Sequence, residues 1–274
     1  MRQNVRLKLG ICYVVVAMAV LVFVFPVFWL GLSSFKTPRE LFDVALPTSF
    51  TLENYQAVLQ NYEMGAFFRN SLVTAIVVTV STVIVGGLGA YAFARYTFRG
   101  RQLTLFSVLV LRMVPGICLT IPLFLLISRF RMLDTIGALM IGQLAFALPQ
   151  AVWILEGFFR GLPIELEEAA LVDGCSRLQA LLYVVVPIST PGLAVTGIFT
   201  FLLSWNDFAL PLVLTSSPAS QTLPVALSQM NLLYGIRWDH MSAASMMYMV
   251  PTIFIAIFLS RYVVQGLTLG AVKG

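Results

Sequence analysis

The chain has 274 residues, of which 59% are hydrophobic and only 11% charged, with a net charge of +5; its mean hydropathy is +0.92. Charged residues make up about a quarter of an ordinary soluble domain, so a water-soluble globule is excluded and lipid is the expected solvent. The basic residues stand singly between apolar runs, which fits membrane anchoring and argues against a nucleic-acid surface.

A bilayer core of about 30 Å takes roughly 20 apolar residues as a helix. The first such run, about 11–33, follows Arg2, Arg6 and Lys8 and exceeds the roughly 7–15 residues of a signal-peptide core, so it reads as a retained span. An outward loop, 34–68, has turn and short-helix character from Pro38, Pro47 and Thr51-Leu52-Glu53. The second span, about 69–94, carries a strip of small residues, Gly86, Gly87, Gly89, Ala90, Ala92 and Ala94, suited to close helix packing. The tight basic loop Arg95–Arg101 leads to a third span, about 103–127, with Arg112 near its middle. A fourth span covers about 136–158.

A charged hairpin, 159–187, interrupts the apolar pattern. Pro163 suits the first turn of a short helix, and Glu165, Glu167 and Glu168 favour its positive end. Gly174 suits a left-handed helix stop and Ser176 a new N-cap. Leu178, Leu181, Leu182 and Val185 then form one apolar helical face. Ala169 and Ala170 present little side chain, so a partner can approach the backbone. A lipid-surface helix normally carries lysine and arginine on its polar face. This one is acidic, which points to a protein partner.

The fifth span runs about 187–214 and contains Asn206 and Asp207. An outward loop follows at 215–242, then a sixth span at about 243–265 and a tail at 266–274. With the N-terminus in the cytoplasm, more basic residues fall on that side, and an even span count brings the C-terminus and the hairpin there too. Prolines recur in or near the spans, at Pro26, Pro115, Pro122, Pro149, Pro191, Pro211 and Pro251, which fits either packing alone or a bundle that rocks between two shapes. The expectation is one all-α membrane domain, residues 1–274, with six transmembrane helices.

Catalytic chemistry finds no support. Cys12, Cys118 and Cys175 have no metal-ligand spacing, and His240, the single histidine, reads as a solvated loop residue. The chain has no G-x-x-x-x-G-K-[ST] phosphate loop, so no ATP hydrolysis, metal or resident cofactor is expected of it.

The spacing Glu168-Ala169-Ala170, three residues, Gly174, nine residues, Val184, one residue, Val186-Pro187 resembles the motif of inner-membrane permeases of binding-protein-dependent ABC importers. That family usually has isoleucine and leucine where Val184 and Val186 stand. Asn70-Ser71, Trp205-Asn206-Asp207-Phe208 and the tail Gly266–Gly274 are similar to the MalG-like carbohydrate branch, so the resemblance covers about residues 10–274. It implies a type I (MetI-like) permease bundle in a bacterial or archaeal cell membrane. The implied partners are a second, homologous permease in a heterodimer, two copies of an ATPase that bind ATP and Mg, and an external solute-binding protein. The implied solute is a sugar, polyol or sugar phosphate. By the same likeness the hairpin is a coupling helix, with Glu168, Ala169, Ala170, Asp173, Gly174 and Pro187 at the ATPase contact. Lys273 and Gly274 would reach between the ATPase subunits, and the loop 215–242 would meet the binding protein. Arg112, Asn206 and Asp207 are candidates for the translocation path, Arg112 and Asp207 also for a structural ion pair. An ion-coupled secondary transporter is the alternative. It needs intramembrane acids, for which essentially only Asp207 and Glu156 qualify.

Overall fold

The computed structural model describes residues 2–233 and 237–271, with side chains described at 9–111, 113–230 and 237–257. Among the described residues every regular element is helical: α1 (Arg2–Ser34), α2 (Glu53–Asn61), α3 (Met64–Arg95), α4 (Arg101–Met113), α5 (Gly116–Arg129), α6 (Ile136–Gly161), α7 (Glu165–Val172) and α8 (Arg177–Ala180). A π-helical turn, Leu181–Val185, joins α8 to α9 (Val186–Ile188), and α10 (Thr190–Trp205), α11 (Ala209–Leu214), α12 (Leu223–Leu233) and α13 (Trp238–Ala271) complete the chain. Among the described residues, four helical segments are long and apolar enough to cross a membrane: Leu9–Ser34, Met64–Arg95, Ile136–Gly161 and Trp238–Ile257. Two bent pairs raise the number to as many as six if each counts as one span.

These bends fall within or at the edge of the expected spans 103–127 and 187–214. The helices before and after Val114-Pro115 meet at 98°. Proline cannot donate to the helix and disfavours helical geometry in its predecessor; Val114 is accordingly extended, at φ −73° and ψ 122°. The segments Arg177–Ile188 and Thr190–Trp205 meet at 78°. Beyond Trp205 the helix stops again for Asn206, Asp207 and Phe208 before α11.

The chain divides into two compact units. The first comprises residues 1–64 and 227–250. Here the loop after α1 is knitted by its backbone carbonyls: Asn54 Nδ2 donates to the carbonyls of Ser34 and Lys36, each at 2.9 Å. Lys36 is fully buried, with its ammonium 4.6 Å from the Trp29 ring centroid and 2.7 Å from the Asp43 carbonyl it donates to. His240, expected to be solvated, is instead buried. Its Nδ1 lies 3.1 Å from the Tyr62 hydroxyl and its Nε2 3.0 Å from Arg237 Nη2.

The second unit comprises residues 65–226 and 251–274. One core cluster joins Ala90 and Tyr91 of α3, Leu155 and Phe159 of α6, and Leu181 and Val185 of the π turn. A second joins Ile127 of α5, Ala138 and Leu139 of α6, and Leu210 and Leu214 of α11. The small-residue strip of α3 does what its composition suggests. Gly86 faces Ala151 of α6 so closely that a side chain there would have to compete with it, and Gly89 lies at ordinary contact distance from Val152. Polar side chains pin the loops. Asn70 Nδ2 donates to the carbonyls of Pro218 (3.0 Å) and Gln221 (2.9 Å), and Ser71 Oγ accepts from the Leu223 N–H at 2.8 Å.

Candidate functional site

The hairpin begins after α6 with Leu162-Pro163-Ile164; Pro163 stands just ahead of α7, and the Glu167 and Glu168 N–H groups bond to the Ile164 carbonyl. At the far end of α7 the chain closes as the sequence leads one to expect. Gly174 has φ +92°, its N–H bonds to the Leu171 carbonyl, and the Cys175 N–H reaches back to Ala170. These paired bonds define a Schellman stop, which favours glycine at the left-handed position. Ser176 and Gln179 then form a reciprocal capping box, with the Ser176 N–H 2.7 Å from Gln179 Oε1 and the Gln179 N–H 3.3 Å from Ser176 Oγ.

Glu165, Glu168, Ala169, Asp173 and Gly174 are exposed along this hairpin. Two residues of α7 face inward. Ala170 is buried, and so is Glu167, three positions earlier on the same face of α7. Glu167 Oε1 pairs with Arg95 Nε, and Oε2 accepts from the Tyr91 hydroxyl at 2.9 Å. Arg95 Nη2 also donates to the Leu162 carbonyl at 3.2 Å. Arg177 of α8 lies 5.6 Å over the Tyr96 ring. Both arms of the hairpin therefore grip the end of α3. No local sequence signal separates Glu167 from its acidic neighbours; the helical period relative to Ala170 is the nearest hint.

The apolar face of the second arm is also corrected. Leu181 and Val185 are buried, whereas Leu178 is 60% and Leu182 51% exposed. A π turn, in which the Val186 N–H bonds to the Leu181 carbonyl, shifts the helical register within this stretch. Such a turn is a known response to disruption of a helical ladder, and Pro187, which lies exposed just beyond it, has no N–H to offer Tyr183. Val172, next to Asp173, and Tyr183 of the π turn are likewise exposed.

A second feature lies among α5, α6, α10 and α11. A cavity of about 730 Å³ is walled mainly by apolar side chains, including Phe146, Phe199 and Phe208, with Gln143, Ser204, Asn206 and Asp207 on its lining. Gln143 Nε2 donates to Asp207 Oδ2 at 2.9 Å, and the Ser204 hydroxyl donates to Gln143 Oε1. Asp207 Oδ1 accepts from the Leu210 N–H at 3.4 Å. Asn206 and Asp207 thus meet at this cavity, and Gln143 joins them without having been singled out in sequence. Its placement in an apolar run was the available signal, since polar groups inside membrane helices are costly. The side chain of Arg112, and Lys273 and Gly274, lie outside the described residues.

The loop between α5 and α6 makes a third polar centre. Asp134, at φ +60°, accepts from the N–H groups of Ser216 (2.8 Å) and Ser217 (2.9 Å) and from the Ser220 hydroxyl. The Ser220 hydroxyl and these two amides hold its carboxyl well below the usual range.

Comparison with known proteins agrees with the fold and extends it. The chain is 33% identical over 254 residues to the diacetylchitobiose uptake system permease protein DasC of Streptomyces coelicolor, covering 92% of each chain. It is 35% identical over 278 residues to the trehalose/maltose transport system permease protein MalG of Thermococcus litoralis, covering 100% of each. Among solved structures, a bacterial ABC transporter involved in the import of the acidic polysaccharide alginate contains a chain that superposes with a TM-score of 0.83 at 21% identity, over 96% of this chain and 98% of that one. Residues 82–269 match the family model for the binding-protein-dependent transport system inner membrane component, and this chain belongs to that family.

Proposed function

We propose that the chain is a transmembrane permease subunit of an ATP-driven importer for a sugar or a related solute, a polyol or sugar phosphate included. It would act as one permease domain of six spans, with both termini in the cytoplasm. Its family, and relatives that serve trehalose, maltose and diacetylchitobiose, support the solute class. The partners are a second, homologous permease, two copies of an ATPase holding ATP and Mg, and an extracytoplasmic binding protein that meets the loop 215–242.

The observation that carries the coupling role is the hairpin's surface. Glu168, Ala169 and Asp173 stand exposed on the first arm with Val172, 87% exposed, and Tyr183 of the second arm is 71% exposed. An exposed apolar side chain beside acids on a short helix favours a protein surface with basic groups. In this reading Glu168 pairs with a cation in an ATPase cleft, Ala169 permits close approach, and Gly174 and Pro187 set the geometry of the two arms, Ala170 packing inward behind them. Lys273 and Gly274 reach the ATPase pair. Nucleotide-driven movement of the hairpin shifts α6 and α10, to which it is joined, and alternates access to the path. Asn206, Asp207 and Arg112 contribute polar groups to that path.

Purification in mild detergent followed by reconstitution tests this. An ATPase and a second permease are expected to accompany the chain. Glu168→Lys and Gly174→Asp are expected to leave it in the membrane while separating ATP hydrolysis from uptake. Undiminished ATP-driven uptake by both variants would sink the coupling role, and a fully active lone permease would sink the importer.

A further inference from the structure

We propose that Arg95 and Glu167 form a latch that makes the hairpin and α3 a single rigid lever, so that a push on the hairpin moves three membrane helices. This rests on the coupling reading above and adds to it. By covalent connection the hairpin drives only α6 and α10. The latch brings in α3, which is adjacent to neither in sequence.

The contacts are of the kind that hold a fixed geometry. Both partners are charged, and their side chains are each only 9% exposed. One carboxylate oxygen meets Arg95 Nε and the other meets the Tyr91 hydroxyl, while Arg95 Nη2 holds the Leu162 carbonyl at the entrance to the hairpin. Separating such a pair without water leaves two uncompensated charges, and removing one partner is far costlier than replacing both. The rest of the contact reinforces it. Tyr91 packs edge-on against Phe159 of α6, and Leu181 and Val185 of the second arm enter the same cluster. Arg177 over Tyr96 adds a grip from α8. A hairpin meant to swing freely on its two covalent joints would have no use for a desolvated ion pair to a third helix. A pair of this kind specifies one arrangement at a cost in desolvation, which is the best-attested role of buried charges. Glu168, one residue on, remains exposed for the partner. Adjacent acids therefore divide the work: one receives force from outside, and the other passes it to α3.

The test uses the whole importer in proteoliposomes, with Cys12, Cys118 and Cys175 replaced by serine. Labelled trehalose, maltose and diacetylchitobiose serve as probes, and the one imported by the parent complex is used throughout. The readout is solute imported per ATP hydrolysed. Arg95→Cys combined with Glu167→Cys is expected to lower this ratio by about fivefold or more, the span of typical coupling factors. Bridging the two thiols with a bismaleimide is expected to restore it to within about twofold of the parent. A role in stability alone would leave the ratio unmoved. An unbridged variant that couples like the parent, or a bridged one that stays uncoupled or ceases to transport, overturns the latch. If the double variant does not assemble, Glu167→Gln, which keeps the shape and loses the charge, decides by the same ratio. A parent complex with no ATP-driven uptake would instead overturn the importer reading itself.

Discussion

Gly86 of α3 and Ala151 of α6 approach so closely that a β-carbon on Gly86 would lie 2.9 Å from that of Ala151. Neither atom sits at the end of a flexible side chain, so the helices themselves would have to part. Gly86→Ala is expected to cost about 1–3 kcal/mol, the usual range for overpacking. Gly89 is the control: its β-carbon would lie 3.5 Å from Val152 Cγ2, an ordinary contact. Gly89→Ala should be neutral or slightly stabilising, because alanine favours helix over glycine by about 1 kcal/mol. Thermal unfolding in detergent distinguishes them, and equal effects of the two substitutions would show that the α3–α6 approach is not tight.

Gly174 presents the opposite case. Nothing lies within 4 Å of the position its β-carbon would take, yet its φ is +92°. Backbone preference, not space, therefore determines what it tolerates. Gly174→Ala is expected to destabilise the hairpin by about 1–2 kcal/mol. Gly174→Asn should cost less, because asparagine visits the left-handed region more readily. Hydrogen exchange at the Cys175 amide, which closes the Schellman stop, reports the opening directly. Equal protection in the glycine and alanine proteins would contradict the strain.

Features set within a few residues were legible in sequence, and features set by distant contacts were not. The stop at Gly174 and the box at Ser176–Gln179 are local, and both stand where their residue types direct. The apolar runs of α1, α3 and α6 are equally local. Prolines were harder, because Pro26, Pro122, Pro149 and Pro251 lie inside continuous helices while Pro115 coincides with a bend of 98°. Neighbouring helices decide whether a lost backbone bond is re-satisfied, and no short window contains them. Glu167 differs from Glu165 and Glu168 only in facing Arg95, 72 positions away. His240 is buried against Tyr62, 178 positions away. The cavity residue Gln143 meets Asp207 across 64 positions.

The Asp134 clasp predicts a pH dependence. Its folded carboxyl titrates below the ordinary aspartate value because Ser220, Ser216 and Ser217 donate to the ionised form. A lowered folded value means that the ionised clasp contributes stability above the ordinary value of about 4. That contribution is lost as pH falls through this value toward the lower folded one. Between pH 7 and about 5 the Ser216 and Ser217 amides should therefore keep constant protection, once the intrinsic exchange rate is allowed for. Asp134→Asn should exchange faster at these positions throughout that window. Protection in the parent protein that declines between pH 7 and 5 would contradict the assignment.

Asp207 separates a solute-facing role from a structural one. Its carboxylate receives Gln143 Nε2 at 2.9 Å and lines the same cavity as Asn206. Asp207→Asn keeps nearly the same volume, and its amide oxygen can still accept from Gln143, so the Ser204–Gln143 link is expected to survive. The charge is removed, together with the long 3.4 Å contact that Asp207 Oδ1 accepts from the Leu210 N–H. If solute hydroxyls donate to this carboxylate during passage, losing a charged acceptor weakens the contact by about 1.5–3 kcal/mol. Uptake efficiency should then fall by roughly ten- to a hundredfold, with complex assembly and thermal stability unchanged. Asp207→Ala should in addition destabilise the fold by about 1–3 kcal/mol, because it removes the shorter of the two acceptors of the buried Gln143 Nε2 and leaves it only the Ser204 carbonyl at 3.4 Å. Transport kinetics and unfolding measured on both variants settle the matter: Asp207→Asn transporting like the parent, with Asp207→Ala unstable, would assign Asp207 to holding Gln143 and remove it from the path.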